Sequence, residues 1–295
     1  MGKALCEAFP EAKAVFDAAD DALGAGLSKL CFEGPEEELK LTQNTQPAIL
    51  TMSIAVHAVF AKRLMQAPAF MAGHSLGEYA ALVAAGALSL PDAVRVVRAR
   101  GQFMQDAVPQ GQGAMAAVLG LEGDAVRAIC AAVAGDQVVA PANFNELTQT
   151  VIAGHAEAVE RATVKLKEAG AKRVLPLGVS APFHCSLMEP VVSRLAAVLE
   201  TISIKAPHTP VIANVDAQPN SEAGRVVPLL LTQVTSSVRW VECVQTLEKN
   251  GVTHVFELGP GKVLCGLVKR IAPTIATAAI DDPVTLEKAL AGGTP

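Results

Sequence analysis

Aromatic residues are scarce in this chain: they make up 4% of 295 residues, with a single Trp and a single Tyr. Small and branched aliphatic residues dominate instead, which suits close helix-on-sheet packing in an α/β protein better than a β-sandwich. Charge is scarce too. Charged residues account for 18% and the net charge is −5, so no basic surface for nucleic acid is expected. The six cysteines (Cys6, Cys31, Cys130, Cys185, Cys243 and Cys265) stand singly, with no CxxC pair. That spacing excludes a dense disulfide framework and predicts buried, reduced thiols. No His/Cys/Asp cluster has metal-ligand spacing, so no metal is expected. Long apolar runs are missing as well. Residues 47–61 are interrupted by Thr51, Ser53 and His57, and 79–90 are too few to span a bilayer. The first sixteen residues carry acids early and lack an apolar signal core. The expectation is a soluble, cytoplasmic protein with no membrane partner.

What is present is enough for a large core. With 51% hydrophobic residues, the chain can build one core, or one core with a smaller appended domain. Apolar positions at Ala14, Val15, Ala18, Ala19 and Ala22 predict a helix over 10–23. A long buried helix is predicted over 46–64, a buried strand over 68–73 and a helix from Ser75 through Ala85. Pro91, at a first-turn position, opens a further helix through Ala107. After the loop 109–113 the pattern changes. Strands are predicted over 114–119, 137–142, 150–154 and 173–177, with helices over 124–134 and 156–169 between them. That β-α-β-β-α-β order is ferredoxin-like. Strands over 210–215 and 253–258 then resume an α/β alternation. The chain therefore divides into a large α/β-hydrolase-like domain, 1–108 with 182–295, and an inserted small ferredoxin-like domain, 109–181.

Gly73-His74-Ser75-Leu76-Gly77 matches G-x-S-x-G between a predicted strand and a predicted helix. A tight strand-to-helix turn needs the small neighbours, and it lifts the serine hydroxyl to a helix N-terminus. The plainer alternative is a serine that merely caps the following helix. A nucleophilic serine needs a base, and six histidines are available. His57 lies in an apolar helix, His155 starts a helix as a cap, and His208 sits between two prolines. His74 adjoins the serine, where neighbouring side chains diverge. His184, in the loop Ser180-Ala181-Pro182-Phe183-His184, and His254 remain. Ser75, Asp216 and His254 follow the hydrolase chain order, but His254 precedes its strand, at the wrong end of the sheet. The sequence favours His184.

Seven ordered motifs now resemble one family, the malonyl-CoA:acyl carrier protein transacylases, over essentially the whole chain. They are Gly73-His74-Ser75-Leu76-Gly77-Glu78-Tyr79, Arg100-Gly101-Gln102-Phe103-Met104-Gln105, Gly113-Ala114-Met115, Ala142-Asn143-Phe144-Asn145, Val151-Ile152-Ala153-Gly154, Pro182-Phe183-His184 and the stretch from Glu257 to Leu264. The resemblance implies a Ser75–His184 dyad in which the backbone carbonyl of Gln233 orients the histidine. It implies that the N–H of Leu76 serves an oxyanion. Arg100 would pair with a malonyl carboxylate, as its bidentate fork allows. Read without the resemblance, Arg100 flanks the stripe Val94, Val97, Gly101 and Met104 and would be a surface-paired arginine. His74, Asn145 and Phe183 complete the implied substrate site. Leu76 and Phe183 also mark the malonyl rather than the branched methylmalonyl type.

The implied partners are malonyl-CoA and acyl carrier protein, with coenzyme A as substrate carrier, no resident cofactor and a monomeric enzyme of fatty acid biosynthesis. One departure stands out. The family opens with a strand and a Gly-Gln-Gly-Ser-Gln loop that supplies a second oxyanion donor, whereas this sequence starts at Met1-Gly2-Lys3, past that loop. Gln110-Gly111-Gln112-Gly113 is not its replacement. Two rival readings are a serine hydrolase built on Ser75, Asp216 and His254, and a non-catalytic module that docks a carrier protein.

Overall fold

The computed structural model describes residues 1–64, 66–179 and 181–291. Ser180, expected to open the loop that carries His184, lies outside the described residues, as do the last four residues of the expected domain 182–295. Helix Pro10–Leu23 forms where periodicity places it, with proline in its first turn and Gly24 closing it at φ 59°. Helix Thr42–Phe60 is apolar on nearly every side and is the central element of the main core. It starts four residues earlier than the sequence suggests, with Pro47 inside it. Proline removes only one hydrogen bond there, and burial of Leu50, Met52, Val56 and Phe60 outweighs that loss.

Helix Leu90–Asp106, capped by Ser89, packs along this central helix because residue 101 is glycine. A Cβ at Gly101 would sit 2.7 Å from the carbonyl oxygen of Thr42. The close approach sets Arg100 beside Gln46, at the heart of the site described below.

The strands of the large part are shorter than the apolar runs that predict them. Met71–Ala72 pairs in parallel with Val211–Ile212, which pairs antiparallel with Pro219–Asn220. Beyond Ala72 the chain must turn sharply, which ends the ladder. A separate parallel pair joins His254–Leu258 to Ala276–Ile280; this last strand, composed of small residues and one Ile, was not predicted.

The β-α-β-β-α-β segment forms one antiparallel sheet. Its order is Val139–Glu146, Gln149–His155, Gly113–Leu119, Arg173–Pro176, with helices Gly123–Val133 and Ala156–Glu168 on one face. The other face, through Met115, Ala142, Val151 and Ala153, meets Cys185, Phe183 and Leu187. His155 does not cap its helix with its side chain; its Nδ1 accepts the N–H of Val138 at 2.9 Å instead. The alternation of outward and inward residues along each strand dictates both faces. The fold is α/β: a hydrolase-like core with a ferredoxin-like subdomain. All six cysteines are free, and five of them are buried.

Candidate active site

Ser75 sits between strand Met71–Ala72 and helix Leu76–Ala84 at φ 50°, ψ −103°, backbone space that non-glycine residues rarely occupy. The turn is tight because a Cβ at Gly73 would lie 2.0 Å from the carbonyl of Gly77. The steric demand falls on Gly73 alone. A Cβ at Gly77 would meet nothing within 4 Å, so the second glycine of the motif is not required by crowding. The hydroxyl caps no backbone group of the helix; it points at His184.

The His184 Nε2 lies 2.8 Å from Ser75 Oγ, and its Nδ1 lies 2.8 Å from the carbonyl oxygen of Gln233. A carbonyl only accepts, so Nδ1 carries the proton and Nε2 offers its lone pair to the serine O–H. His184 is itself held at φ 59° and is 5% exposed. Burial, reinforced by the positive charge of Arg100, pushes its pKa down to about 3. At neutral pH the ring is therefore an uncharged base.

Arg100 is 2% exposed, which overturns the surface-paired alternative. Its Nη1 donates to Gln46 Oε1 at 2.8 Å, and its Nη2 donates to Gln233 Oε1 and to Ser75 Oγ, both at 3.0 Å. All three acceptors are neutral. Among the described residues no carboxylate lies within salt-bridge distance of this guanidinium. A buried, unpaired cation is costly and favours an anionic ligand group beside it. Behind it, Glu78 is 3% exposed, and burial raises its pKa to about 7.

The remaining sequence-named residues fall into place around this centre. Leu76 N–H, in the first helical turn, has no acceptor among the described residues. His74 Nε2 lies 2.8 Å from Asn145 Oδ1, and its ring packs at a tilt of 55° against Trp240, centroids 5.5 Å apart. These two side chains therefore meet each other, and burial lowers the pKa of the His74 ring. Phe183 packs at the seam between the main core and the small sheet. The hydrolase triad does not assemble. Asp216 pairs with Arg225 at 2.7 Å, while His254 is exposed and its Nδ1 contacts Thr253 Oγ1.

Three buried polar residues escaped sequence reasoning: Gln46, Glu78 and Asn214. The available signal was a polar residue inside an otherwise apolar element. Glu78 is the only charge in LGEYAALVA, Gln46 leads into an apolar helix, and Asn214 closes the run Val211–Ala213. Among the described residues, no group of three or more His, Cys, Asp or Glu side chains is arranged to hold a metal ion.

Comparison with known proteins fits this geometry. The acyl transferase domain family matches residues 1–271. Malonyl CoA-acyl carrier protein transacylase of Escherichia coli strain K12 is 47% identical over 286 residues, spanning 97% of this chain and 93% of the relative. The protein of the same name from Bacillus subtilis strain 168 is 50% identical over 291 residues, spanning 98% and 92%. An acyl carrier protein S-malonyltransferase from Vibrio cholerae superposes with a TM-score of 0.96 at 46% identity, covering 98% of this chain and 94% of that one. A malonyl-transacylase solved in complex with a type II PKS acyl-carrier protein gives the same TM-score and identity, covering 99% and 95%. The chain belongs to the acyl transferase domain family, among the malonyl CoA-acyl carrier protein transacylases.

Proposed function

We propose that the chain transfers the malonyl group of malonyl-CoA to the phosphopantetheine thiol of acyl carrier protein, through a malonyl ester on Ser75, for fatty acid biosynthesis. One observation carries this reading. The same oxygen, Ser75 Oγ, lies 2.8 Å from a neutral imidazole nitrogen and 3.0 Å from a buried guanidinium that has no carboxylate partner among the described residues. A base and a carboxylate-matching cation thus converge on one nucleophile.

In the first half-reaction His184 Nε2 takes the Ser75 proton as Oγ attacks the thioester carbonyl carbon. The negative charge that develops on the carbonyl oxygen is met by Leu76 N–H. Collapse breaks the C–S bond, and coenzyme A leaves as a thiol with the proton that His184 returns. In the second half-reaction the carrier protein's thiol gives its proton to His184 and attacks the ester; Ser75 Oγ leaves and recovers that proton. Throughout, the Gln233 carbonyl holds the ring and is matched by the charge gained at Nδ1–H when Nε2 is protonated.

The malonyl carboxylate is assigned to Arg100, within reach of the same oxygen. Leu76 and Phe183, partly buried against the core, would crowd a branched acyl group. His74 and Asn145, bonded to each other, are proposed to shape the substrate wall rather than to donate to the substrate. In this reading 1–108 with 182–295 form the catalytic domain and 109–181 the inserted one. Coenzyme A enters only as substrate carrier, with no resident cofactor. The protein is taken to act as a cytoplasmic monomer. No described helix is long and apolar enough to cross a membrane.

Initial rates with malonyl-CoA and phosphopantetheinylated acyl carrier protein, each varied at several fixed levels of the other, test the reading. Malonyl-carrier protein and parallel double-reciprocal lines are expected. Release of free malonate with no malonyl-carrier protein would overturn it in favour of a hydrolase.

A further inference from the structure

The peptide of Ser75 is gripped by side chains from a neighbouring part of the chain. Met71 and Ala72 pair in parallel register with Val211 and Ile212, and continuing that register sets His74 opposite Asn214. In a parallel ladder, a residue bonds the C=O before its partner and the N–H after it. Asn214 does this with its carboxamide. Its Nδ2 donates to the carbonyl of Gly73 at 2.8 Å, and its Oδ1 accepts the N–H of Ser75 at 2.7 Å. A side-chain amide thus stands in for a peptide group and carries the ladder one position past its backbone end.

The backbone of Asn214 is consequently free for other partners. Its N–H donates to Glu78 Oε2 at 3.0 Å, and its carbonyl accepts the N–H of Arg239 at 2.9 Å. The same Glu78 oxygen accepts Gln233 Nε2 at 2.8 Å, and that nitrogen also approaches the carbonyl of Ser75 at 3.1 Å. Asn214 and Gln233 are fully buried and Glu78 nearly so, so water does not substitute easily for any of these contacts. Ser75, at φ 50°, is in backbone space that persists only where its surroundings impose it. Its own N–H is also consumed by Asn214, which leaves Leu76 N–H as the open donor of the turn.

We propose that Asn214, anchored by Glu78, is a positioning residue for acyl transfer: its carboxamide holds Ser75 in the conformation that aims Oγ at His184. The proposal rests on the acyl-transfer reading above. Neither residue touches the reacting atoms, so the predicted defect lies in turnover rather than in substrate binding.

The test is Asn214→Ala, assayed three ways. The kcat for malonyl transfer should fall about tenfold to a hundredfold, while KM for malonyl-CoA moves by less than about threefold. Labelling by an alkyl fluorophosphonate, in which Ser75 Oγ displaces fluoride from phosphorus, should slow by a similar factor. That reaction involves no malonyl group and no carrier protein. A melting transition that stays cooperative separates mispositioning from unfolding. Unchanged kcat and labelling in a folded Asn214→Ala protein overturn the proposal, as does a loss confined to KM. If that variant does not melt cooperatively, Glu78 decides. Glu78→Gln keeps an acceptor for both donors and should recover at least about tenfold of the rate lost in Glu78→Ala; a Gln variant no better than Ala overturns the proposal. Should the unsubstituted protein transfer no malonyl group, the functional reading fails, and the fluorophosphonate arm still decides the role of Asn214.

Discussion

The carbonyl oxygen of Gln233 lies 2.8 Å from Nδ1 of His184, where a serine hydrolase would place a carboxylate. A neutral dipole is sufficient in this setting. It fixes the tautomer as a carboxylate would, yet it leaves the buried ring without an ionic partner that would hold a proton on it. Burial, then the nearby Arg100 charge, pushes His184 down to about 3 against the smaller upward pull of this carbonyl, so the base form is dominant at every physiological pH.

The pH dependence follows with a definite sign. The proposed mechanism needs neutral His184, so activity should be lost only as pH falls through the depressed pKa. In a Glu78→Gln background, which removes the buried carboxyl raised to about 7 beside the site, kcat/KM should stay level from about pH 8 to about pH 5. A limb centred on the ordinary histidine value of 6.5 would show that the ring is not held as described. If the malonyl carboxylate pairs with Arg100 as proposed, it neutralises one cause of the depression, so the acid limb of kcat should lie at higher pH than that of kcat/KM.

Selectivity should reside in Arg100. Its replacement by Ala leaves a malonyl carboxylate desolvated without a partner, at a cost of roughly 2–5 kcal/mol. An acetyl group carries no such charge. Arg100→Ala is therefore expected to lower kcat/KM for malonyl-CoA far more than for acetyl-CoA, measured side by side. Equal losses for both thioesters would remove the carboxylate from Arg100.

Glu78 links the site to stability. Its carboxyl is raised from 4.5 to about 7 by burial, so the folded protein holds this proton more tightly than the unfolded chain does. The contribution is fully present below 4.5 and is lost as pH rises through 7, with a span of about 3 kcal/mol. Glu78→Gln mimics the protonated form. Its melting temperature should exceed that of the unsubstituted protein at about pH 8, and the gap should close towards about pH 5. A gap that is constant across this range would show that Glu78 does not titrate there.

Much of this was legible in the sequence, for identifiable reasons. The small sheet and its two helices were readable because alternation and helical periodicity act over a few neighbouring residues, as along 113–119 and 156–168. The turn at Ser75 was readable because its glycine, serine and flanking elements are local. His184 could be preferred over His254 because it lies in a loop that follows a strand, whereas His254 precedes its strand. The two-residue ladder of Met71–Ala72 was not legible, since its length is set by where the chain must turn. The extent of Arg100 burial was hidden as well, because it depends on Gly101 admitting the start of another helix. The partnership of Asn214 and Glu78 was hidden for a stronger reason: a lone polar residue in an apolar run marks each position, but they act on each other across 136 positions, and no local pattern shows that a side chain completes a ladder.

The nucleophile itself is the central claim, and mass measurement addresses it most directly. Mixing the protein with malonyl-CoA and recording its intact mass, with peptide mapping of the product, should show one added malonyl group located on Ser75. His184→Ala should acquire that group about two to four decades more slowly, and Ser75→Ala, a change of one oxygen atom, should acquire none while melting like the unsubstituted protein. Malonylation of the Ser75→Ala protein at the original rate, on Cys185 or any other residue, would contradict the account.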